Sequence, residues 1–167
     1  MIGRITGVLL EMRPPQLIVD CNGVGYEIEA PMTTIWALPE INQKVSLYTH
    51  LTVREDAHLL YGFVTESERA LFRSLLRVNG VGTKMALVIL SGMDANAFAE
   101  CVHAGDTARL TALPGIGKKT AERLIIEMRD RVERVDSAVT LPSKVANPRL
   151  VDAAAVIPGA GRGRDPV

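Results

Sequence analysis

Val78-Asn79-Gly80-Val81-Gly82-Thr83-Lys84-Met85-Ala86 recurs 35 residues later as Leu113-Pro114-Gly115-Ile116-Gly117-Lys118-Lys119-Thr120-Ala121. A bare G-x-G is weak, since 14 glycines in 167 positions already give five such pairs, Gly23/Gly25 and two near the end among them. The flanks carry the signal. Each copy has an apolar residue between its glycines and another two positions ahead of them, with a lysine and then an alanine at matched offsets behind. Apolar stripes of period 3.6 surround both copies, so each is expected to join the end of one helix to the start of the next.

The physical reading is a pair of helix–hairpin–helix loops. Glycine tolerates backbone angles that other residues resist and leaves no side chain to hold a ligand away. The first amides of a helix have no partner inside it, and together with the helix dipole they favour an anion. Lys84, Lys118 and Lys119 add full positive charge, while the side chains of Val81 and Ile116 are expected to point inward and steady each loop. The expected phosphate-binding set is therefore Asn79, Gly80, Val81, Gly82 and Lys84 in one copy and Gly115, Ile116, Gly117, Lys118, Lys119 and Arg123 in the other. Contact with backbone phosphate predicts binding that is indifferent to base sequence and sensitive to salt, and a double hairpin can meet both strands across a minor groove. A turn that was only structural would have no need of a lysine at the same offset twice.

Other phosphate chemistries fail on spacing. A Walker loop needs glycine five residues before the Gly-Lys pair, where this chain has Ala112, and it needs Ser or Thr where Lys119 stands. A dinucleotide fingerprint needs a preceding strand and a third glycine. No ATP site and no cofactor are expected.

Upstream the pattern has period two. Short strands are expected over 1–10, 17–21, 24–30, 45–53 and 59–63, with turns at Pro14-Pro15, Asn22-Gly23 and Pro39 and one short helix over 32–38. Five strands with a helix after the third is the layout of an OB-type barrel, with an SH3-like or other small barrel as the alternative. Downstream of Gly62, Thr65-Glu66-Ser67-Glu68 has capping-box spacing ahead of Leu71, Phe72, Leu75 and Leu76. A second helix is expected over 83–90, Asp94 caps a third, and Gly105-Asp106 ends one helix and caps another. A final helix runs from Lys118 to about Arg134, with Ala121, Leu124, Ile125, Met128 and Val132 on its apolar face and Glu122, Arg123, Arg129 and Asp130 on its wet one. The fold class is α+β: a barrel domain over 1–63, an all-α tandem hairpin domain over 64–135, and an irregular linker or tail over 136–167, in which 150–157 is too short to be a stable helix alone.

Nineteen basic and nineteen acidic side chains cancel, so no global field draws a polyanion. The distribution is uneven: four Lys/Arg against seven Asp/Glu over 1–63, eleven against nine over 64–135, and four against three beyond. Cys21 and Cys101, 80 residues apart with no CxxC, are expected to be small buried hydrophobes rather than a disulfide or zinc ligands. His50, His58 and His103 have no ligand spacing. No apolar run approaches the roughly 20 residues of a membrane span and the opening residues do not read as a signal peptide, so a cytoplasmic protein is expected.

Several stretches resemble one family. Met1-Ile2-Gly3-Arg4, Gly23-Val24-Gly25-Tyr26-Glu27, Thr52-Val53-Arg54-Glu55-Asp56-Ala57, Leu60-Tyr61-Gly62-Phe63 and the paired hairpins are similar to the RuvA family, the Holliday-junction-binding subunits of bacterial RuvAB branch-migration complexes. The resemblance covers about residues 1–135. It implies an OB domain that assembles four subunits around an axis as a homotetramer, or eight as an octamer, with hairpins holding the four arms of an open, nearly planar junction. It also implies a non-catalytic role in recombination and repair, with the RuvB motor ATPase as partner and the RuvC resolvase as a further one. It assigns Glu55 and Asp56 to an acidic pin at the crossover, where gathered carboxylates repel phosphates; the residues by themselves read as a solvated turn. The family continues into a small helical motor-binding domain, for which 136–167 has no pattern, so that domain is expected to be absent or truncated. Thr83 stands where many relatives carry proline, and its hydroxyl is expected to cap the next helix. The competing function is a hairpin-bearing repair enzyme, a base-excision glycosylase or structure-selective nuclease; low aromatic content and the lack of a metal cluster argue against it.

Overall fold

The computed structural model describes residues 1–139, and side chains as far as residue 132. Strands β1 (Arg4–Arg13), β2 (Gln16–Cys21), β3 (Val24–Glu29), β4 (Lys44–Val53) and β5 (His58–Phe63) close into a barrel in the order β1-β2-β3-β5-β4, with α1 (Met32–Ala37) between β3 and β4. This is the OB-type order. Strand β1 pairs with both β2 and β4, and a bulge between Leu9 and Glu11 lets it bend from one neighbour to the other. It begins three residues later and ends three residues further on than the apolar pattern suggested, because Glu11-Met12-Arg13 pair across the Pro14–Pro15 turn although they face water. Leu9, Leu17, Val19, Ile28 and Leu47 fill the barrel.

Strand β5 connects this core to the next. Leu60 points into the barrel, whereas Tyr61 and Phe63 belong to the helical core, where Phe72 packs against both rings at centroid distances of 5.0 and 4.9 Å. The helices are α2 (Glu66–Leu76), α3 (Thr83–Gly92), α4 (Ala95–Ala104), α5 (Thr107–Thr111) and α6 (Lys118–Val139). Their starts follow the sequence. The Thr65 hydroxyl accepts from the Glu68 amide at 3.2 Å, Asp94 from Ala97 at 2.8 Å and Asp106 from Arg109 at 3.1 Å. Gly105 ends α4 in the left-handed region at φ 66°. The predicted apolar face of α6 is buried throughout, and its predicted polar positions are exposed.

Three expectations are corrected. Helix α6 continues to Val139, four residues into the stretch read as linker, since no glycine or proline interrupts the chain between Gly117 and Pro142. Thr83 caps nothing: Gly82 is the N-cap of α3, without a side-chain cap, and Thr83 lies inside the helix. Cys101 is buried as expected, but Cys21 is only half-buried at the end of β2. The remaining tail reading, including 150–157 and the absent third domain, lies outside the described residues. Among the described residues no single helix is long and apolar enough to cross a membrane.

Candidate nucleic-acid interface

The two repeats adopt one geometry. In the first, the Val78 amide donates to the Leu75 carbonyl and the Val81 amide to Val78 at 3.1 Å; Gly80 then turns through φ 87°, and the Ala86 amide donates to Gly82 at 3.0 Å. In the second, Leu113 donates to Leu110 and Ile116 to Leu113 at 3.3 Å, Gly115 turns through φ 79°, and Ala121 donates to Gly117 at 2.9 Å. Val81 and Ile116 are buried beneath their loops, as expected, and Ala86 and Ala121 are wholly buried where the following helix meets the core.

These bonds determine which donors remain. The amides of Val81 and Ile116 already have internal acceptors, which removes both residues from the expected phosphate-binding set as donors; their part is to hold the loop. Among the described residues, no backbone acceptor meets the amides of Gly82, Thr83 and Lys84, or of Gly117, Lys118 and Lys119. Each hairpin therefore presents the first turn of a helix, α3 or α6, with its orphan donors exposed. The glycines divide the work. Gly80 and Gly115 supply the positive φ that the turn requires. Gly82 and Gly117 do not: Gly82 is extended (φ −95°, ψ 179°), and a Cβ at either position would meet no atom within 4 Å. The fold itself leaves room for a side chain at both positions.

Charge surrounds both loops. Lys84, Lys118 and Lys119 are exposed, and among the described residues none of them is in an ion pair. Arg123, exposed on α6, donates from Nη1 to the Asn79 carbonyl at 3.3 Å, which brings two of the predicted residues together across the two hairpins. Glu55 and Asp56 are exposed at the tip of the β4–β5 loop, which the Arg54 amide closes onto the Ala57 carbonyl at 2.8 Å. Among the described residues, no hydrogen bond or ion pair joins that tip to either hairpin.

Residues 1–62 match the RuvA N terminal domain, and residues 72–130 match the SAM-like helix-hairpin-helix tandem. A Thioalkalivibrio sulfidiphilus protein named Holliday junction branch migration complex subunit RuvA is 63% identical over 141 residues, spanning 84% of this chain and 70% of that protein. Proteins of the same name from Nitrosococcus oceani and Pseudomonas aeruginosa are 64% and 54% identical, over 79% and 89% of this chain and 66% and 74% of theirs. The chain belongs to the RuvA family.

In this RuvA-family chain a second polar cluster, which sequence reasoning missed, fixes the barrel to the hairpin domain. Arg69 on α2 donates to the Gly3 carbonyl at 2.6 Å, pairs with Glu66 at 3.4 Å and lies over the Tyr48 ring at 5.2 Å. One helical turn on, the Arg73 Nε donates to the His50 Nδ1 at 3.1 Å. Burial, then the charges of Arg73 and Arg69, hold the His50 imidazole below its usual range, which suits a neutral acceptor. Glu68 is also buried at this seam, with the Thr34 hydroxyl at 3.5 Å. Burial pushes its carboxyl up, and hydrogen bonds from Thr33, Thr34 and the Thr65 amide oppose the shift. The partners that join α2 to the barrel and α1 lie more than 20 residues apart, so no local pattern announces them.

Proposed function

We propose that this chain is a non-catalytic DNA-binding subunit that recognises four-way junctions by shape and phosphate contact and holds their arms open for branch migration. The observation that carries the reading is the pair of hairpins, each with three helix-start amides that no backbone acceptor meets, lysine beside them and a second glycine with open space where a side chain would stand. Phosphate oxygens are the ligands that this arrangement suits best. Four copies around an axis, a homotetramer, would gather Glu55 and Asp56 at the crossover, where their repulsion of phosphate acts over roughly 10 Å at 0.1 M salt. A neutral chain then makes sense, because attraction is confined to the hairpins and the centre opposes nonspecific duplex. ATP-driven work falls to a separate RuvB motor, with the RuvC resolvase as a further partner; the sequence itself has no Walker spacing.

Gel shifts of the purified chain on a synthetic four-way junction, the matching linear duplex and single strands test the proposal. Tighter binding to the junction than to either control is expected, and equal affinity for all three contradicts it.

A further inference from the structure

The two hairpins are linked in one direction. Arg123 belongs to α6, the second hairpin's own helix, yet its guanidinium extends to the first hairpin and binds the Asn79 carbonyl at 3.3 Å. The same guanidinium lies against Gly80, the next residue, where a Cβ would be 3.6 Å from Nη1, an ordinary contact distance. Further along α6, Arg131 donates to the Ser74 carbonyl at 3.0 Å, so α6 also holds α2 just ahead of the loop. The repeat does not return the contact. At the 35-residue offset Arg123 corresponds to Val88, which carries no donor in its side chain.

We infer that Arg123 is a positioning residue, which sets the first hairpin's loop from the second hairpin's helix so that the two phosphate clamps act as one unit. The inference rests on the phosphate-clamp reading above and gives Arg123 a different role from that of the lysines. Lys84, Lys118 and Lys119 bring charge to the phosphate, whereas Arg123 acts through Asn79. Its guanidinium carries a rigid fork of donors, so one edge can hold a carbonyl in a fixed orientation. Two clamps held in register have less conformational freedom to lose when they meet a duplex, and the second contact follows the first as an intramolecular event.

A double-mutant cycle on the full chain, read by binding to a synthetic four-way junction, tests this. R123M is expected to weaken binding about tenfold in the otherwise unchanged protein and less than about twofold where G82A and K84A have already disabled the first hairpin. A direct phosphate contact beside the second hairpin would instead keep its full effect in that background and lower the salt slope by about one per subunit. Amide hydrogen exchange without DNA supplies a readout independent of binding. In R123M the Val81 amide should exchange faster, with Ile116 and the melting temperature unchanged. An unaltered Val81 rate, or a full loss of binding in the disabled background, overturns the inference. Should the unchanged protein fail to bind the junction at all, the clamp reading falls, and the exchange rates alone then decide whether Arg123 positions the loop.

Discussion

Gly82 and Gly117 are the residues at which structure and proposed chemistry separate most clearly. Neither takes a left-handed angle and neither is crowded, so alanine at both positions should cost the fold only the difference between glycine and alanine as helix N-caps, under about 1 kcal/mol each. The double substitution should nevertheless weaken junction binding by about tenfold or more, since each added methyl stands where a phosphate oxygen would approach the amides. A melting curve beside the gel shift separates the two effects, and a loss of folded protein in step with binding would make these glycines structural. Lys119→Ala should lower the slope of log affinity against log salt by about one per subunit. An unchanged slope would remove Lys119 from the contact set. The hairpins were legible in the sequence because loop chemistry is local: glycine, apolar residue, glycine and lysine fall within a few positions. The engagement of the Val81 and Ile116 amides was not, since it depends on how tightly each loop winds after its first helix.

At the scale of elements, α2 joins the molecule together. Phe72 lies between Tyr61 and Phe63 of β5 and makes an edge contact with His50 of β4 at 5.6 Å. Phe72→Ala should therefore destabilise barrel and helices together by about 3–5 kcal/mol, in a single urea transition, and two separated transitions would contradict that coupling. The seam is also sensitive to acid. Because His50 titrates lower when folded than its ordinary value of about 6.5, the unfolded chain takes up the proton first as pH falls. The stability that this site contributes is present above that value and is lost as pH drops through the folded one, when the protonated ring can no longer accept from Arg73. Urea midpoints at pH 7.5 and 5.5 should show a loss that His50→Gln reduces, and an equal loss in the variant would place the sensitivity elsewhere. Strands and helices themselves were readable from period and caps, Thr65, Asp94 and Asp106 included. The ends of β1 and α6 were not, because exposed Glu11 and Arg13 pair only through a partner strand and α6 has no stop signal before Pro142.

At the scale of the whole molecule, positive and negative charge are placed apart: lysines at the hairpins, beside amides that no backbone acceptor meets, and Glu55 and Asp56 at the tip of a barrel loop. Exchanging those two carboxylates for their amides should tighten binding to linear duplex more than to a junction, by several-fold at low salt, and should narrow the preference between them. Weaker binding would contradict a repulsive pin. The sequence pattern alone left the barrel type open and read the pin as a solvated turn, since strand order depends on long-range pairing such as β1 with β4. On the proposed reading, helix-start amides at the two hairpins receive phosphate oxygens. An amide-resolved NMR titration of the full chain with four-way junction DNA tests it most directly. The largest shifts are predicted at Gly82, Thr83 and Lys84 and at Gly117, Lys118 and Lys119; saturable binding that leaves these six amides unmoved would contradict the account.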